Sequence, residues 1–67
     1  MELEIIGNDS SCVGGHCPTV YLSDRGSLVI QGYRVNDPLD FDLPSGETVV
    51  EVPINIIKDL LRSGRLG

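Results

Sequence analysis

The sequence has 67 residues, of which 40% are hydrophobic, and ten carboxylates against five basic side chains give it a formal net charge of -5. We expect one small domain, 1–67, and no enzyme, because so short a chain has little room for a deep catalytic pocket. The hydrophobic fraction excludes intrinsic disorder, and the charge balance excludes the basic face that direct nucleic-acid binding needs. A basic protein partner fits this charge, although acidity also simply aids solubility.

The N-terminal residues indicate where the protein resides. Glu2 and Glu4 stand where a secretory signal would carry lysine or arginine. No apolar run has the length of a signal core or of a membrane span. The sequence therefore predicts a cytoplasmic protein that does not associate with membranes.

A flexible glycine-rich loop is predicted at 7–18, after a short first strand indicated by the alternation of Leu3 and Ile5. The loop contains both cysteines of the chain, Cys12 and Cys17. In a reducing compartment such a pair is more often free, metal-bound or redox-active than permanently bridged. The glycines between the two would nevertheless allow a disulfide.

Three residues of this loop, Cys12, His16 and Cys17, are types that bind zinc. A structural zinc site ordinarily has four ligands, and the adjacent His16 and Cys17 can bind one ion only if the backbone bends between them. Completion of the site by a second chain across a dimer interface is an open alternative. The same adjacency argues against Cys17 as a catalytic nucleophile. A disulfide, a zinc or redox site, and thiols that pack as small hydrophobic groups all remain open.

A β-hairpin is predicted from Thr19 onward, where two segments rich in β-branched and aromatic residues, 19–23 and 27–35, flank a turn ending in Gly26. Gly32 interrupts the second segment, which predicts a bulge or a sharp bend. The spacing assigns Val20, Leu22, Leu28 and Ile30 to one face and Tyr21 and Val29 to the other.

A loop at 36–47, a strand at 48–52 and a C-terminal helix complete the chain. Pro53 is predicted at the first helical position and Gly64 as the C-terminal cap. The helix has an amphipathic stripe, formed by Ile54, Ile56, Ile57, Leu60 and Leu61. This stripe must pack on the sheet or against its copy in a dimer. The predicted fold class is α+β, mostly β: a small bent antiparallel sheet or SH3-like barrel with one C-terminal amphipathic helix.

Aromatic side chains are the best candidates for partner binding. In so small a domain, Tyr21, Tyr33 and Phe41 are expected to anchor the core first and to contact a partner second. An exposed aromatic beside Arg34 would be a suitable interaction hot spot. Tyr21, Tyr33, Arg34 and Phe41 are therefore the candidate partner-binding residues.

The stretch from Cys17 to Leu61, with "CPTVYLSDRGSLVIQGYRVNDP", then "ETVVEVP" and an amphipathic helix, resembles small proteins of actinomycetes. In plan it is similar to the BldB-like family, short β-rich proteins often encoded beside WhiJ-type helix-turn-helix regulators. The resemblance implies a regulatory accessory protein that contacts a DNA-binding regulator, or itself as a homodimer. The chain lacks the tryptophans of that family, so no specific partner is implied. The alternative function is a zinc or redox site on the loop at 7–18.

Overall fold

The computed structural model of the protein describes residues 1–9 and 17–66. Its elements are β1 (Leu3–Asn8), β2 (Thr19–Ser23), β3 (Leu28–Gln31), β4 (Tyr33–Arg34), β5 (Val50–Glu51) and α1 (Ile54–Ser63). The strands form two antiparallel sheets, one in the order β1-β2-β3 and one of β4 with β5. The predicted fold class, α+β and mostly β with one C-terminal helix, is confirmed.

Strand β1 is longer than the sequence pattern predicts. Gly7 and Asn8 continue its pairing with β2 after an irregularity in register between Ile5 and Gly7. The predicted loop at 7–18 therefore begins after Asn8, not at Gly7. The glycine is needed for packing: a Cβ at position 7 would lie 2.9 Å from Cδ2 of Leu60. Its small size lets α1 approach the strand closely.

The hairpin forms as predicted, and its faces are those that the spacing assigned. Val20 pairs with Ile30, Leu22 with Leu28, and Tyr21 with Val29. Gly26 supplies the positive φ of the turn, 75°. The Ser23 hydroxyl accepts hydrogen bonds from the backbone N–H groups of Arg25 and Ser27 and shares a 2.7 Å hydrogen bond with the Ser27 hydroxyl. The turn thus satisfies the polar atoms of Ser23, which is buried.

Gly32 separates β3 from β4, as predicted, and the chain passes there from the first sheet to the second. A Cβ on Gly32 would lie 2.7 Å from the carbonyl oxygen of Glu51 and 2.8 Å from Cγ1 of Val52. The strand predicted at 48–52 is shortened to Val50–Glu51, because β4 offers only two residues for pairing. The second sheet is therefore small and depends on this close backbone approach.

Helix α1 has defined ends at both termini. Pro53 is its N-cap, with φ -60° and ψ 137°, so the prediction that it is the first helical residue is wrong by one position: its ψ is extended. Gly64 ends the helix in the left-handed conformation, as predicted, and its N–H reaches the carbonyls of Leu60 and Leu61. Within the two described ranges no helix combines the length and the apolar character that a membrane crossing requires.

The hydrophobic core is small and aliphatic. It consists of Ile6, Val20, Ile56 and Leu60, with Val52 and Ile57 packed against it. The predicted helical stripe is therefore only partly covered, since Ile54 and Leu61 are exposed. Because α1 packs against β1, the core lies under the β1 side of the first sheet. The β3 side of the same face is left without a helix.

Candidate functional site

The aromatic side chains lie mainly at the surface. Tyr33 is 53% exposed and Phe41 is 56% exposed, so neither anchors the core as the sequence analysis expects. Tyr21 is half-buried, and its hydroxyl donates a hydrogen bond to Oε1 of Gln31 at 3.2 Å. Aliphatic residues alone fill the buried cluster, which leaves the aromatic rings available for contact with another molecule.

The candidate partner-binding residues belong to two different sheets. Tyr33 and Arg34 form β4, where consecutive side chains point to opposite faces. Phe41 lies in the segment that joins β4 to β5, whereas Tyr21 lies in β2 of the first sheet. Tyr33, Arg34 and Phe41 are thus associated with the second sheet, and Tyr21 is separate from them.

The segment between β4 and β5 presents Phe41 among carboxylates. Asp40 and Asp42 flank it in sequence, and all three residues are exposed. The segment is closed at its base by a hydrogen bond from the Val35 N–H to the Val49 carbonyl, 3.3 Å. An aromatic ring between two solvated carboxylates is suited to contact a partner that offers an apolar pocket with a basic rim.

A second exposed surface, missed by the sequence analysis, consists of Leu22, Leu28 and Ile30, and we call it the β3 strip. These side chains share a face with the fully buried Val20 but are 41%, 45% and 40% exposed. The reason is that α1 packs mainly against β1, at the other edge of this sheet. The sequence contained one signal of this exposure, because a single predicted helix is too small to cover a whole face of the sheet.

Shallow depressions occur among the described residues. One, of about 250 Å³, is lined by Glu2, Leu3, Glu4, Leu22, Ser23 and Asp24. Another, of about 230 Å³, lies between β1 and α1, where the Arg65 guanidinium donates to the Ile6 carbonyl at 3.4 Å. Among the described residues that line them there is no histidine or cysteine. Their composition therefore gives no nucleophile with an adjacent imidazole base.

Cys17 is disulfide-bonded. The other two residues of the predicted metal site, Cys12 and His16, lie outside the described residues. A disulfide sulfur is not a thiolate, so a zinc site that uses Cys17 requires reduction first. In residues 1–9 and 17–66, no three histidine, cysteine, aspartate or glutamate side chains are grouped to hold a metal ion.

Reduction of the disulfide at Cys17 is expected to cost at most about 2 kcal/mol of unfolding free energy, because cysteines as close in sequence as Cys12 and Cys17 close only a short loop. Urea denaturation followed by circular dichroism, with and without a phosphine reductant, measures this change. Complete unfolding on reduction contradicts the expectation. Zinc added to the reduced protein tests the metal alternative: a rise in melting temperature supports it, and an unchanged melting temperature rejects it.

The protein exposes more surface than a compact chain of its length. Its accessible surface is 5292 Å², whereas a compact monomer of this size exposes about 4,100 Å². Its radius of gyration is 13.2 Å, against about 11 Å for a compact domain. The excess surface is about 1,200 Å², which is larger than the roughly 800 Å² that one protein loses in a specific complex.

Comparisons with known proteins give no relative. No protein-family model matches the chain, no curated protein matches it, and no solved structure matches it. The resemblance to the BldB-like family accordingly stays a prediction. The exposed aromatic residues and the β3 strip are the features that bear on function.

Proposed function

We propose that this is a small acidic accessory protein that acts by binding another protein and has no catalytic activity of its own. The observation that carries the proposal is the exposure of Tyr33 and Phe41, in a chain whose third aromatic is also outside the core. Exposed aromatic residues are over-represented among the residues that dominate binding energy in protein complexes. Arg34 is also exposed and is a second residue type of this kind, on the opposite face of β4.

The charge of the surface supports a basic partner. Glu51 lies opposite Tyr33 in the second sheet, and Asp40 and Asp42 flank Phe41. With a net charge of -5, the chain attracts positively charged proteins and repels nucleic acid. A helix-turn-helix regulator, as the resemblance implies, is a partner of this chemistry. Binding at its basic surface would compete with DNA.

Native mass spectrometry tests the proposal, on the tagged protein recovered from its host without reductant. We expect a stoichiometric complex with a DNA-binding protein and no zinc. Tyr33→Ala and Phe41→Ala should each weaken that complex about tenfold, because each removes an aromatic contact. The dissociation constants are then measured by calorimetry with the purified partner.

Leu61→Ala is the matched control, because Leu61 is also exposed and apolar but lies on α1. It should leave the partner affinity unchanged. A protein recovered without any partner, or carrying a zinc mass, contradicts the proposal and favours the alternative site at Cys12, His16 and Cys17. Equal losses for Leu61→Ala and Tyr33→Ala contradict the assignment of the binding surface.

A further inference from the structure

We propose that β3 pairs with β3 of a second copy of this chain, which makes the protein a homodimer with one continuous six-stranded sheet. Strand β3 is at the edge of its sheet, next to β2 alone. In the described part of the chain, no backbone hydrogen bond from a turn or loop reaches residues 28–31. The far edge of β3 therefore offers backbone donors and acceptors for another strand.

The sequence of β3 lacks the features that keep an edge strand from pairing. Its residues, LVIQ, include no charged residue and no proline, and the uncharged stretch extends from Ser27 to Tyr33. Edge strands that remain single usually carry lysine, proline or a bulge. Two copies that each carry a charge of -5 repel one another, so an uncharged strand is where they approach at least cost.

The β3 strip determines the register of the pairing. In an antiparallel pair related by a two-fold axis, residues directly opposite each other lie on the same face of the sheet. An axis through Val29 places Leu28 of one copy opposite Ile30 of the other. The strips of the two copies then form one apolar surface next to the two buried Val20 side chains. The interface is thus self-complementary.

The excess accessible surface of the chain is large enough for a dimer interface. The chain has about 1,200 Å² more accessible surface than a compact monomer of its length. A stable interface removes about 800 Å² from each partner. Pairing at β3 brings the exposed side chains of Leu28 and Ile30 of the two copies into contact across the paired strands. This dimer leaves Tyr33 and Phe41 outside the proposed pairing, so it is independent of the proposed partner binding.

Sedimentation velocity of the full chain over a range of concentrations tests the inference, and we expect a species of twice the chain mass. Leu28→Lys should raise the dimer dissociation constant at least about tenfold, since an ammonium group replaces an apolar contact. Leu61→Lys makes the same change at an exposed apolar residue of α1 and should leave the dimer intact. Circular dichroism confirms that both variants are folded.

A wild-type protein that stays monomeric at every concentration overturns the inference. A Leu28→Lys dimer as tight as the wild type overturns it too, as does dissociation by Leu61→Lys. If Leu28→Lys does not fold, amide hydrogen exchange of the wild type decides: protection at residues 28–31 that rises with concentration supports pairing, and concentration-independent protection rejects it. Tyr33→Ala should leave the dimer unchanged, so failure of the dimer and failure of partner binding are separable.

Discussion

Leu60→Ala should remove a large part of the unfolding free energy of the protein. Leu60 is 2% exposed and, in the part of the chain that the structure describes, shares the core cluster with three other buried residues, Ile6, Val20 and Ile56. Truncation of a buried leucine costs about 2–5 kcal/mol. A domain of 67 residues has a total unfolding free energy of about 3–10 kcal/mol. The loss therefore removes much of the stability of the fold.

Urea denaturation followed by circular dichroism measures this loss. The matched control is Leu61→Ala, one residue further along α1, where the side chain is 66% exposed. A surface substitution of this kind changes stability by less than about 0.5 kcal/mol. Equal losses for the two variants would show that Leu60 is not in the core.

Gly32→Ala should lower the unfolding free energy by about 3 kcal/mol, the upper part of the range for overpacking. The added Cβ would lie 2.7 Å from the Glu51 carbonyl oxygen and 2.8 Å from the Val52 side chain. Because the nearest atom belongs to the backbone of β5, no side-chain rotation relieves the clash. The two strands of the second sheet must move apart, and their pairing is only two residues long.

Gly26→Ala separates this steric effect from the conformational cost of losing a glycine. Position 26 has a φ of 75° and no atom within 4 Å of an added Cβ, so only backbone strain of about 1 kcal/mol is expected. Denaturation of both variants under the same conditions gives the comparison. A Gly32→Ala loss no larger than that of Gly26→Ala contradicts the close approach of Gly32 to β5.

The elements predicted well from the sequence are those that local chemistry determines. The turn at Gly26, the interruption at Gly32 and the cap at Gly64 each follow from the freedom or small size of glycine. The alternation of the hairpin also assigns its faces correctly, because the period of a strand is fixed by its geometry. The fold class follows from these elements in order.

Features that depend on distant contacts were not predictable. Gly7 resembles a loop residue in sequence, and only the approach of Leu60 explains its place in β1. The candidate residues Tyr33 and Phe41 were identified by type, but their exposure follows from their position in β4 and in the segment that joins β4 to β5, away from the buried cluster. The exposure of the β3 strip was missed because the two-residue alternation of a strand indicates which residues share a face of the sheet. It does not indicate whether another element covers that face.

The packing of α1 on β1 has a consequence for the order of folding. The core joins Ile6 and Val20 to Ile56 and Leu60, and a hydrogen bond links Arg65 to the Ile6 carbonyl across almost the whole sequence. Contacts so far apart in sequence close large loops and slow the search for the native state. A nascent chain that ends before residue 54 has the hairpin but no core to hold it. Folding must therefore wait until α1 has been synthesised and can reach β1.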